Sequence, residues 1–369
     1  MIALLLASAG VVASPYGTTA AGERVERISL RNARGTTVSV LTLGGIIDEV
    51  RAADRRGVRT NVVLALPDLA GYEARANFGS LIGRYAGRIS GGGFTLEGER
   101  VTLATDPKAI VSHGGTPGFG ARVWAAEPCA RPGCSAVTLR YVSPDGENGF
   151  PGTLSVTVTY TLQPDDTLRL DYAATTTRTT VINLTHHGYW NLAGAGSGSA
   201  DSQYLRVPAS ATLDLDSRRV PTGTLRPVSG TPFDLRNPGR IGDRVGSADP
   251  QMRLARGIDH FFVLDRPGQA ALAACAWDPV SGRMLEVRTS APGVQIYTAN
   301  SFDGTLLGSG GRTIRQGDGY AIETQAPPDA PNRPEFTSTV LRRGETWQMT
   351  TRFRLRTATS LAAFARRCR

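Results

Sequence analysis

Apolar and polar residues alternate along much of this chain. In residues 153–162 (TLSVTVTYTL), Leu154, Val156, Val158, Tyr160 and Leu162 fall on one side and Thr153, Ser155, Thr157, Thr159 and Thr161 on the other. Successive side chains of a strand point to opposite faces, so this period of two predicts a half-buried strand. The turn residues QPDDT follow, and Leu168, Leu170 and Tyr172 resume the alternation, which predicts a hairpin. Residues 38–43, 101–103, 137–142, 261–264 and 346–355 carry the same pattern. Helical periodicity is scarce. Residues 68–75 have room for one or two turns, and residues 361–367 read as a terminal helix or a frayed tail. The Gly/Ser stretch 193–202 (AGAGSGSADS) reads as a surface loop. The pattern predicts an all-β fold, most simply two large packed antiparallel sheets.

Composition narrows the picture. With 369 residues the chain can hold one large domain or two ordinary ones. No repeat or long linker divides it. The boundaries expected are a leader over residues 1–22, one domain over 23–357 and a tail over 358–369. Forty-three glycines and 22 prolines suit many strands and turns. The net charge is +9 and comes from scattered arginines, with a single lysine, Lys108. No basic tract marks a nucleic-acid partner, and no run of 18 apolar residues marks a membrane span. The opening MIALLLASAGVVAS has the apolar run and small residues of a signal peptide but lacks the basic start. A periplasmic or secreted location is therefore expected, and a cytoplasmic one if that segment is no signal. Cys129 and Cys134 flank the turn-like ARPG, so they pair in an oxidising compartment and stay thiols in a reducing one. No CxxC spacing suggests zinc.

The chain has four histidines: His113, His186, His187 and His260. His113, His187 and His260 stand in polar, Gly-rich or turn-adjacent surroundings (SHGG, NLTHHGYWNL, GIDHFF). On a strand, Asn183, Thr185, His187 and Tyr189 share one face, while Ile182, Leu184 and His186 share the other. The polar row places His187 in a cleft and His186 in the packing. Glu323, in YAIETQ, ends a short apolar strand before the Pro-rich APPDAPNRPEF. Partial desolvation there raises the carboxylate's proton affinity and suits it to act as a base. The chain lacks a GxSxG elbow, a phosphate loop and a strand-led GxGxxG.

Several segments together resemble the aldose 1-epimerase (galactose mutarotase) family. They are residues 77–89 (NFGSLIGRYAGRI), 91–98 (GGGFTLEG), 112–115 (SHGG), 145–162, 183–194 (NLTHHGYWNLAG), 257–264 (GIDHFFVL), 292–304 (PGVQIYTANSFDG) and 323–345, in the expected order. The resemblance implies a large β-sandwich with its site in a groove on one sheet. It implies Glu323 as general base and His187 as general acid. It implies that Arg88, His113, Tyr189, Asp259 and Gln295 hold sugar hydroxyls. Four positions depart from the family pattern. Gly87 stands where Asn is usual, so a side-chain contact is lost or passes to backbone. His186 replaces an Asn, Ser112 an apolar residue and Ala326 a His.

The implied reaction interconverts the α and β anomers of a free aldohexose such as galactose or glucose. It needs no cofactor and no metal. The expected partner is a monosaccharide, with neither nucleic acid nor membrane, and the chain works as a monomer or homodimer. Three other readings use the same residues. One is a non-catalytic sugar-binding protein, and one is a sugar-phosphate epimerase with arginines converging on the groove. The third is a lyase or hydrolase using Glu323 and Asp259 as a carboxylate pair. Trp190 and Phe302 are candidates for an apolar wall against the sugar, although core packing fits each better.

Overall fold

The computed structural model describes residues 10–369. Three antiparallel sheets dominate. A five-stranded sheet runs in chain order through Gly10–Thr18, Arg24–Arg31, Thr37–Leu41, Ile47–Ala53 and Arg59–Asn61. A nine-stranded sheet has Leu154–Leu162, Thr167–Thr176, Trp347–Thr357 and Arg283–Thr289 near its middle. A six-stranded sheet has the spatial order Tyr189–Trp190, Tyr320–Gln325, Gly293–Tyr297, Asp259–Val263, Ala211–Leu215 and Pro221–Pro227. The fold is the antiparallel β-sandwich that the alternation predicts.

The hairpin expected from residues 153–172 forms in full register, from Leu154 opposite Thr176 to Leu162 opposite Leu168. Leu154, Val156, Val158, Tyr160 and Leu162 are all buried in the main core. Each such side chain contributes about 1.5–3 kcal/mol by leaving water. The same core takes Val38 and Val40 from the five-stranded sheet, and Phe262, Val294, Ile296 and Ile322 from the six-stranded sheet. One face of the six-stranded sheet is thereby fixed inward. The period of two then turns Gln295, Tyr297, Glu323 and Gln325 to its other face, where they line a cavity.

Helices are few and short. Leu69–Ala74 is capped by the Asp68 carboxylate, which accepts from the Gly71 N–H. Leu361–Arg367 is a capped helix rather than a frayed tail, with the Ser360 hydroxyl at its start. Its Phe364 stacks on Trp277, and Cys368 is bonded to Cys275 on the nine-stranded sheet. Ile241–Val245 and Pro250–Ala255 are two further helices that the periodicity does not announce. Cys129 and Cys134 are also bonded. Of the leader expected over residues 1–22, residues 1–9 lie outside the described residues, and Gly10–Thr18 forms a strand paired with Arg24–Arg31. No helix among the described residues is long and apolar enough to cross a membrane.

Candidate active site

The cavity on the outward face of the six-stranded sheet measures about 650 Å³. Each residue expected at the site lines it: Gly87, Arg88, His113, His187, Tyr189, Asp259, Gln295 and Glu323. They come from six separate stretches of chain, so only the fold brings them together.

Glu323 and Gln295 are cross-strand partners on adjacent strands. His187 reaches the same point from the link between Thr185–His186 and Tyr189–Trp190. The stretch from 183 to 190 is thus two short strands with a break rather than one strand, yet its side chains still alternate. His187 Nε2 lies 3.5 Å from Glu323 Oε1. His186 points the other way, with Nε2 3.3 Å from the Gly45 carbonyl and its ring edge-on to Tyr160. Tyr189 packs on His187 at 4.8 Å between ring centres, whereas Trp190 goes to the core against Phe353. Trp190 therefore offers no wall to the cavity, while Phe302 lines it beside Tyr189. His260 packs on Phe233 and faces Gln251 Oε1, and it is not among the cavity-lining residues.

Arg88, Asp259 and Gln295 form one hydrogen-bonded group. Arg88 Nη2 donates to Asp259 Oδ2 at 3.0 Å, and Gln295 Nε2 donates to Asp259 Oδ1 at 2.7 Å. The other Arg88 nitrogen, Nη1, is held by the Arg219 carbonyl. Burial alone would raise the Asp259 carboxyl. The charge and hydrogen bond of Arg88, with help from His260 and Gln295, outweigh that and hold it below its ordinary value. Asp259 therefore stays a carboxylate.

His113 sits on a turn with φ of 54°. Its N–H donates to the Gly87 carbonyl, and its ring Nδ1 accepts from the Gly87 N–H at 3.4 Å. The Gly87 backbone is thus engaged by His113. A Cβ on Gly87 would stand 2.8 Å from the Pro328 Cβ, at a φ of +83°, so a side chain here would need the Pro328 ring to move. Burial pushes His113 down to about 3, and the charges of His187 and Arg88 add to the fall. Neutral His113 with Nδ1 accepting carries its proton on Nε2 and can donate from there.

Burial acts on the central pair in opposite directions. It pushes His187 down to about 4, against a backbone hydrogen bond and the Asp259 charge. It pushes Glu323 well above its ordinary value, reinforced by Asp259 and opposed by Arg88. The two shifts favour a protonated Glu323 beside a neutral His187. A neutral acid–imidazole pair and a carboxylate–imidazolium pair carry the same proton count, and transfer across the 3.5 Å contact converts one into the other. Glu323 Oε2, His187 Nδ1 and Gln295 Oε1 are buried without a hydrogen-bond partner.

Sequence reading missed several contributors. Tyr297 and Gln325 line the cavity two residues beyond Gln295 and Glu323, where the same period of two would have placed them. Arg84 is buried and clamps the carbonyls of Ser143, Pro144, Pro151 and Gly152. Asn148, from that clamped segment, donates to the Gly114 and Pro117 carbonyls and so fixes the His113 turn. Asn183 ties the start of the catalytic stretch to Ala86 and Ala326. No local pattern signals these long-range clamps.

Comparison with known proteins agrees with the geometry. The family model described as aldose 1-epimerase matches residues 26–354. Galactose mutarotase of Rattus norvegicus is 38% identical over 338 residues, covering 91% of this chain and 96% of its own length. Aldose 1-epimerase of Escherichia coli K12 is 32% identical over 336 residues, covering 90% and 95%. Among solved structures, galactose 1-epimerase from Lactobacillus acidophilus superposes with a TM-score of 0.84 at 28% identity, covering 95% of this chain and all of that one. The matched region contains every cavity residue from Gly87 to Glu323, and on that extent of likeness the chain belongs to the aldose 1-epimerase family.

Proposed function

We propose that this protein interconverts the α and β anomers of a free aldohexose, with Glu323 and His187 as the proton-transfer pair. The observation that carries the reading is a buried carboxyl and a buried imidazole 3.5 Å apart in one cavity. A sugar ring is a hemiacetal. Opening it takes the proton from the anomeric hydroxyl and adds one to the ring oxygen. Both oxygens are bonded to the same carbon, so the base and the acid must stand close together, as these two groups do. Glu323 as carboxylate accepts the hydroxyl proton, and His187 as imidazolium donates to the ring oxygen. Rotation about C1–C2 then presents the other carbonyl face. Reclosure runs both transfers in reverse and restores the starting proton count.

The remaining cavity residues orient the ring. The Asp259 carboxylate, held by Arg88 and Gln295, accepts from hydroxyls, and His113 Nε2 donates to one. Tyr297 and Phe302 offer apolar surface to a sugar face. Both oxygens of Asp259 are already bonded to Arg88 and Gln295, which disfavours its use as the second carboxylate of a hydrolase. Fresh α-galactose, followed by polarimetry or proton NMR, tests the reading. The protein should speed the approach to anomeric equilibrium, and an unchanged rate at high protein concentration leaves only a sugar-binding role. Running glucose beside glucose 6-phosphate separates a free-sugar enzyme from a sugar-phosphate one.

The working unit is a monomer or homodimer, which light scattering of the protein in solution distinguishes. The protein is exported to the periplasm or beyond. Two disulfides, which persist in oxidising compartments, support that location. Mass spectrometry of the mature N-terminus tests export. A cleaved leader supports it, and an intact Met1 with reduced cysteines in cells rejects it.

A further inference from the structure

We infer that Gln325 is a further substrate-positioning residue, whose side-chain amide reads a vicinal pair of ring hydroxyls remote from the anomeric carbon. The inference rests on the sugar-anomer reading above and extends it to the substrate's far side.

Gln325 lies two residues beyond Glu323 on Tyr320–Gln325. Residues i and i+2 of a strand face the same way, about 6.6 Å apart. Gln325 therefore looks into the cavity from the same face as the base, displaced by about the width of one pyranose with its hydroxyls. It lines the cavity, and only 1% of its surface is exposed. Neither Oε1 nor Nε2 has a hydrogen-bond partner. A buried amide left unpaired is costly, so natural proteins seldom keep one without a use.

The surroundings of Gln325 keep it aimed. Its cross-strand partner is Gly293, and the Phe261 ring fills the space over that glycine, so no polar side chain of this strand engages the amide. The next residue is locked on both backbone groups. The Ala326 N–H donates to Asn183 Oδ1 at 2.9 Å, and the Ala326 carbonyl accepts from Asn183 Nδ2 at 3.1 Å. The other buried cavity groups with unpaired atoms are Glu323, His187 and Gln295, each already assigned to the sugar. Gln325 is the fourth of that set. Its amide offers a donor and an acceptor side by side, which matches two neighbouring hydroxyls, one accepting and one donating. A ring lacking either hydroxyl leaves the amide unpaired again, and sites of this kind reject such analogues strongly.

The test compares wild type with Gln325→Leu on galactose and its 2-, 3- and 4-deoxy analogues. Wild type should lose about ten-fold or more in kcat/KM on at least one analogue. Gln325→Leu should lose about 10- to 100-fold on galactose, mainly through KM. On the analogue that wild type rejects, the variant should come within about two-fold of wild type, because the lost partner is already gone. Its melting temperature should stay level or rise, since an unpaired amide has been replaced by an apolar group of similar size. The inference is overturned if the variant matches wild type on every sugar. It is equally overturned if the variant loses the same factor on all sugars with a lowered melting temperature, which is a structural role. If wild type itself leaves galactose unchanged, the proposed function falls. Saturation-transfer NMR binding of the same four sugars to both proteins then still decides the role of Gln325.

Discussion

Glu323 and His187 work only while they hold one proton between them, and this sets what single substitutions and pH should do. Glu323→Gln removes the base and His187→Asn removes the acid. Each should cost about 10²–10⁴-fold in kcat with an unchanged circular dichroism spectrum. Near-normal turnover in either variant would remove that residue from the chemistry. His186→Asn should leave kcat within a few-fold, because its ring meets the Gly45 carbonyl and Tyr160 rather than the cavity. The pH profile of kcat/KM should be a broad bell. Below about pH 4, His187 takes up a second proton beside an already protonated Glu323, and no base remains. Above the raised value of Glu323 the shared proton is lost, and no acid remains. Stopped-flow polarimetry from pH 3 to 10 checks both limbs. An acid limb at the ordinary histidine value of about 6.5 would contradict the burial argument.

At the level of elements, the strands with long alternation were legible and the short connecting pieces were not. The residues 154–176 hairpin declared itself because one face is all apolar. Ile241–Val245 and Pro250–Ala255 are too short to show a period of 3.6; Asp249 caps the second, and the first, without a side-chain cap at its start, is set by context. The split between His186 and His187 was read correctly even though the strand breaks there, since alternation needs only extended backbone. Cys129 and Cys134 could be weighed from their spacing, but nothing local pairs Cys275 with Cys368, 93 residues apart. That bond pins the terminal helix to the nine-stranded sheet. Closing so long a loop stabilises the chain by about 5 kcal/mol on the chain-entropy account. Cys368→Ser should therefore lower the unfolding free energy by about that amount, seen as a fall in the denaturant midpoint, while leaving turnover intact. Cys275 lies on the nine-stranded sheet, and the cavity opens on the six-stranded one. An unchanged midpoint would show that the helix is held by Phe364 packing alone.

Over the whole molecule, the same burial that shapes the site makes stability depend on pH. His113 and His186 are pushed down to about 3, and His187 and His260 to about 4, in each case first by burial. Unfolding frees all four to take up protons below about pH 6.5. Asp48, raised to about 7 by burial, and Glu323, also raised, act oppositely, because the folded chain already holds their two protons there. The four groups that gain protons on unfolding outnumber the two that release them, so stability should fall on acidification from pH 6 to 5. Urea unfolding at the two values checks it, and a flat or rising stability would contradict the buried histidines. The arrangement of the cavity rests on the fold's joining of distant segments around one sugar, and a crystal structure of Glu323→Gln with galactose addresses that most directly. The account predicts residue 323 at the anomeric hydroxyl and His187 Nε2 at the ring oxygen, each within about 2.6–3.2 Å. A ring whose anomeric carbon faces other side chains would contradict it.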